Sequence, residues 1–261
     1  MIKTHLKGFT LLELAIVLVI IGIVAGLGLP SLVNLMNRDK VITTGQNQQY
    51  VLQALAGYLL TYHHLPCPAS PIGSGAERGK APSQCDSPEQ AQGIIPFRTL
   101  GIPEAKAKDG YKNWMTYAIH PLLGNKLDLK SLLIDESGAE PPENSFCGIK
   151  ADALEAGISK INIVDQSHNP LLVKVFNSHS LIPHDFIAVV LISHGSKGEG
   201  AYTSVGTRNS IKQEGADKAE NSNNDFLFVD RQKSVDFDDT VVWVTRNNLM
   251  ATYVQKPCRT K

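Results

Sequence analysis

The chain has 261 residues, with 25 basic and 25 acidic side chains and a formal net charge of zero. That balance excludes a strong overall field for nucleic acid or anionic lipid, and no basic run marks a DNA footprint. The length fits one large domain or two small ones, and four cysteines, an even count, suit an exported chain with two disulfides.

The chain opens MIKTHLKG and continues FTLLELAIVLVIIGIVAGLGLP. Between positions 9 and 29 only Thr10 and Glu13 are polar. About twenty apolar residues span a bilayer core as a helix, and a helix satisfies its own backbone in lipid. Lys3 and Lys7 precede the run with no acid between them. The positive-inside rule then keeps the N-terminus cytoplasmic and places the chain beyond Pro30 across the membrane. A carboxylate inside such a run is expensive and points to a function. A cleaved secretory signal is the competing reading, with 25–28 as its cut site, but a carboxylate in its apolar region is unusual.

Gly8, Phe9 and Glu13, in identity and spacing, resemble the N-terminus of the type IV pilin and pseudopilin family, and Pro30 falls where many pilins place a proline. The resemblance covers residues 1–30. It implies that residues 1–8 are a leader, cut after Gly8 by prepilin peptidase, and that Phe9 becomes an N-methylated first residue. Glu13 then stands fifth in the mature chain and pairs with the N-terminal amine of a neighbouring subunit. A charge pair in a low-dielectric core attracts strongly, and a missing partner is strongly penalised, so Glu13 would set the register of subunit addition. The implied partners are other pilin or pseudopilin subunits, the peptidase and an inner-membrane assembly platform. The implied location is a single pass through the bacterial inner membrane with a periplasmic head, then a pilus or pseudopilus. A plain single-span anchor with a tolerated acid is the alternative.

Beyond Pro30, Val51, Leu52, Leu55, Tyr58, Leu59 and Tyr62 recur at three- and four-residue spacing and give one apolar face. The pattern predicts one long helix over 9–62, bent near Pro30 and about 80 Å long at about 1.5 Å per residue. Its first half is apolar all round and its second half on one face. Residues 63–261 form a head large enough for a packed core. Residues 66–92 are rich in Pro, Gly, Ser and Gln and read as a loop. The four cysteines allow three pairings; Cys67–Cys85, which would close this loop, is favoured, leaving Cys147–Cys258 to tie down the tail, each worth about 2–4 kcal/mol. No Cys-x-x-Cys is present, and the spacings match no zinc site.

Residues 93–103 read as short, apolar and turn-rich, and 114–119 as a strand. Residues 127–134 are ambiguous, and 151–157 suit a short helix. Residues 161–164, 171–176, 186–193, 226–229 and 240–245 are apolar, β-branched runs bounded by turn residues. Residues 195–224 read as a surface excursion, and 246–254 as a short helix or strand. The expected architecture is α+β, a long N-terminal helix packed on an antiparallel sheet, which the pilin resemblance also implies. Residues 93–120, 187–193 and 238–250 resemble the head of a further class of pilin-like proteins.

Several groupings invite chemistry. His179, His184 and His194 suggest a metal trio, but Pro183 breaks the helical register that the first two would need. Ser193, His194 and Asp185 suggest a hydrolase, but no Gly-x-Ser-x-Gly elbow is present. Gly195, Gly198, Gly200 and Gly206 resemble a phosphate loop only in glycine number. Asp225, Asp230, Asp236, Asp238 and Asp239 supply hard oxygen ligands that suit Ca²⁺, at spacings unlike an EF-hand. No other cofactor and no catalytic residue is expected. The expected role is structural, as a minor pilin or large pseudopilin, because the head exceeds that of a simple major pilin. The rivals are an anchored periplasmic enzyme and a filament-tip adhesin or DNA receptor using Lys197, Arg208, Lys212 and Lys218; nucleic acid is possible but not indicated.

Overall fold

The computed structural model describes residues 10–73, 75–87, 89–124, 146–147, 161–169, 171, 187–212, 216–256 and 258, with the side chains at 25 and 27–33 left out. The leader, Gly8 and Phe9 lie outside the described residues. So do 127–134, 151–157, 172–176, His179, His184 and Asp185. The chain divides into two compact units, Met1–Ile42 and Thr43–Lys261.

The first element, α1, is an unbroken 52-residue helix, Leu11–Tyr62. Helical backbone continues through Pro30. The boundary between the two units falls inside α1, so residues 43–62 belong with the head. Among the described residues, no helix is long and apolar enough to cross a membrane. The span expected over 9–29 includes Phe9 and side chains outside that description.

In the head, α1 buries Val51, Leu52, Leu55, Ala56 and Leu59. This stripe recurs every helical turn, and each fully buried aliphatic side chain contributes about 1.5–3 kcal/mol. The stripe continues one turn back as buried polar residues, which bind the head's backbone. Thr44 Oγ1 accepts from the Gly110 N–H at 3.0 Å. Asn47 Nδ2 donates to the Lys108 carbonyl at 2.9 Å, and Gln48 Nε2 to the Thr240 carbonyl at 3.2 Å.

The sheet is antiparallel throughout. Its strands are β1 (Gln92–Ile94), β2 (Thr116–Ile119), β4 (Ile187–Ser193) and β6 (Thr240–Thr245), in the order β1-β2-β4-β6. Every residue of β4 is buried, as a central strand covered on both faces requires. The sheet thus matches the α+β expectation of an N-terminal helix with an antiparallel sheet. Two features go beyond it. The turn-rich reading of residues 93–103 missed β1, whose Gln92, Gly93 and Ile94 pair with Ala118, Tyr117 and Thr116. A separate parallel pair joins β3 (Asn162–Val164) to β5 (Leu227–Val229).

The short helices α2 (Pro121–Gly124), α3 (Ala216–Glu220) and α4 (Arg246–Asn248) complete the described elements, with a 3₁₀ turn at Glu104–Ala107 and a π-helical turn at Leu249–Val254. Thr245 caps α4, its hydroxyl accepting from the Asn248 N–H. Disulfides join Cys67 to Cys85 and Cys147 to Cys258. The second spans 111 residues, and chain-entropy models assign loops of that size about 4–5 kcal/mol.

Candidate functional site

Two regions carry polar chemistry. The first is the start of α1. Thr10 precedes the helix, and its hydroxyl accepts from the Glu13 N–H at 3.2 Å. Glu13 Oε2 in return accepts from the Thr10 N–H at 2.9 Å and from its hydroxyl at 3.0 Å. This reciprocal pair is a capping box, which satisfies backbone donors that the first turn leaves free. The Thr-x-x-Glu spacing that signals it stands in the sequence, overshadowed there by the assembly role expected of Glu13. Every side chain from Thr10 to Val24 is exposed, and beyond Thr10 and Glu13 all of them are apolar or glycine. Pro30 lies within the helix, its side chain outside the description.

The second region is a buried polar cluster beside the sheet. His194, just past β4, is fully buried. Its Nε2 shares a hydrogen bond with Thr116 Oγ1 at 2.8 Å. Its Nδ1 faces Asp239 Oδ2 at 3.8 Å, too long for a hydrogen bond. Burial pushes the imidazole down to about 3, helped by the Arg208 and Lys218 charges. Burial pushes the Asp239 carboxyl up to about 7, against the hydrogen bond from Asn221 and the Lys218 charge. Lys218 is fully buried among Glu199, Asp238 and Asp239. Burial alone would lower its ammonium, but those carboxylates outweigh it and the pKa is raised. Arg208 lies over the Tyr202 ring and donates to the Tyr202 hydroxyl, Asn224 Oδ1 and the Gly200 carbonyl.

These contacts correct two expectations. The excursion over 195–224 is not only surface, because Ala201, Tyr202, Lys218 and Asn221 are buried within it. Lys218 and Arg208 therefore do not stand on an open basic face with Lys197 and Lys212. Composition marks such a stretch as polar and cannot show that its charges find internal partners.

The five aspartates do not converge. Asp225 accepts from the Leu227 N–H and from Asn223 Nδ2. Asp230 accepts from Trp243 Nε1 at 3.3 Å. Asp236 pairs with Arg231 at 2.6 Å and accepts from Ser234. Only Asp238 and Asp239 stay together, and a lysine rather than a cation site occupies the space between them. Among the described residues, no group of three or more His, Cys, Asp and Glu side chains is placed to hold a metal ion. Nor does Ser193 meet His194. Its hydroxyl donates to Asp109 Oδ2 at 2.8 Å, and Asp109 also accepts from the Tyr111 and Asn113 N–H groups.

Residues 5–29 match the family model described as the prokaryotic N-terminal methylation motif. That motif is the type IV pilin and pseudopilin signature, and this chain carries it over the segment containing Gly8, Phe9, Thr10 and Glu13. No curated protein matches the chain, and no solved structure does.

Proposed function

We propose that this chain is a minor pilin or pseudopilin, a structural subunit with no catalytic step of its own. Prepilin peptidase cuts after Gly8, Phe9 is methylated, and the apolar segment over 9–29 anchors the subunit in the inner membrane with its head in the periplasm. An inner-membrane platform then moves it into a pilus or pseudopilus, where like helices cover that segment. One observation carries the reading: the methylation signature leads into a helix whose side chains from Thr10 to Val24 are exposed, and nearly all of them are apolar. Apolar surface on that scale needs lipid or sister helices to cover it. Glu13 adds the charge that a neighbour's free N-terminal amine would meet.

The mass of the N-terminal peptide from membranes tests this, with and without active prepilin peptidase. A chain that begins at methylated Phe9 only when the peptidase is active is the expected result. Retention of Met1, or a cut among residues 25–28, would overturn it.

A further inference from the structure

Lys218, on α3, has its side chain wholly withdrawn from solvent. Its Nζ touches Asp238 Oδ1 and lies 3.3 Å from Glu199 Oε2 and 3.7 Å from Asp239 Oδ1. Asp238 leads into β6. Its far oxygen, Oδ2, accepts from the Lys197 N–H and from Ser196 Oγ, each at 3.0 Å. Gly195 makes this approach possible. It has φ +64°, and a Cβ there would stand 2.5 Å from Asp238 Cγ and Oδ2. Asp239 Oδ2 accepts from Asn221 Nδ2 at 3.0 Å. Its Oδ1 is buried, has no hydrogen-bond partner and lies toward the amine.

An ion pair alone does not require this arrangement. The amine is buried, the carboxyl it touches is 17% exposed, that carboxyl's far oxygen rests on two donors, and a spare carboxylate oxygen sits beside the amine. We propose that Lys218 and Asp238 condense into an intramolecular amide that cross-links α3 to the entry of β6. Nζ attacks Asp238 Cγ, and the developing negative charge collects on Oδ2, where the Lys197 N–H and the Ser196 hydroxyl stabilise it. Asp239 Oδ1 first takes a proton from the ammonium, which frees the nitrogen lone pair, and passes it to Asp238 Oδ1; after the attack it relays a second proton from Nζ to the same oxygen, which leaves as water. The balance closes on the ion pair itself: the ammonium gives up two protons, and one carboxylate oxygen departs with both. No oxidant, nucleotide or metal enters. Fixed geometry replaces chemical activation of the acid. Burial keeps the Asp239 carboxyl near 7, so it can both accept and release a proton at neutral pH. Glu199 acts as a positioning residue that holds the amine from the other side.

The test is peptide mapping of the full chain, purified in detergent, reduced and digested with trypsin. The expected result is no cleavage after Lys218 and a branched peptide that contains both Lys218 and Asp238. That peptide is lighter by one water than its two linear parts combined. Asp238→Ala should restore cleavage after Lys218 and give only linear peptides. Wild-type peptides that are linear and cleaved after Lys218 would overturn the proposal. Loss of water confined to a linear peptide at Asp238 and Asp239 would also overturn it, as that is a succinimide. A branched peptide that survives Asp238→Ala would overturn the assignment to Asp238. The cross-link lies in the head, so none of these readings depends on where the mature chain begins.

Discussion

His194 shows how much one buried residue can be made to do by its surroundings. Its ring is held neutral beside Thr116, Asp239 and the Arg208 charge, and its pKa falls to about 3, chiefly through burial. In the unfolded chain a histidine titrates near 6.5, so below that pH the unfolded state binds a proton that the folded state refuses. The stability His194 contributes is therefore complete above about pH 6.5 and is lost as pH falls toward 3. Asp239 works in the opposite sense. Its folded pKa, about 7, is raised by burial above an unfolded value near 4. Its contribution is complete below about pH 4 and is lost as pH rises through 7. The two slopes oppose each other between about pH 4 and 6.5. We expect His194→Gln, which keeps an amide donor near Thr116, to gain stability relative to wild type as pH falls through that window, while Asp239→Asn loses it. Urea unfolding of both variants and the wild type, repeated across pH, reads the difference directly. Parallel curves would show that both groups titrate in the fold as they do in the unfolded chain.

At the scale of elements, α1 was readable because its second half must present one stripe to a sheet. Val51, Leu52, Leu55 and Leu59 fall at helical spacing, and all are buried. Leu60 lies off that stripe and is 41% exposed. Leu55→Ala should cost the head about 2–5 kcal/mol by deleting buried methyl groups and leaving a cavity, whereas Leu60→Ala should stay within about 0.5 kcal/mol. Denaturant midpoints of the two variants at equal m-value check this, and equal losses would show that the stripe is misassigned. β6 was readable for a similar reason, since Thr240 to Thr245 is one unbroken β-branched and aromatic run. β1 was not. It is three residues long with a glycine at its centre, and its strand character comes from partners distant in sequence. Ile94 bridges to Ala69, and a Cβ on Gly93 would stand 2.5 Å from the Ala69 carbonyl oxygen. The buried cluster was hidden by the same kind of cause. Asn221 reads as loop polarity, Lys218 as part of a basic surface and Asp239 as a Ca²⁺ ligand until the fold supplies the partners that make their burial tolerable.

For the whole molecule the question is what Glu13 does once the chain stands among copies of itself. Within one chain its carboxylate already has work, since it closes the capping box on Thr10. A cap needs only hydrogen-bonding geometry, and a glutamine at the same position can supply it. Pairing with a neighbour's N-terminal amine needs the negative charge, most of all where apolar helices exclude water around it. Glu13→Gln separates the two roles. On the subunit reading it leaves the helix start, the head and membrane insertion intact, and it lowers incorporation into sheared filaments by at least tenfold, which corresponds to about 1.4 kcal/mol, well within what loss of a partner costs a buried charge. Thr10→Ala should behave in the converse way, weakening the first turn by about 1 kcal/mol while keeping the charge and most of the incorporation. Immunoblots of sheared and membrane fractions from cells carrying each variant measure both effects. If Glu13→Gln enters filaments as well as wild type does, the carboxylate is a helix cap alone. Register along the filament must then come from the packing of residues 9–29.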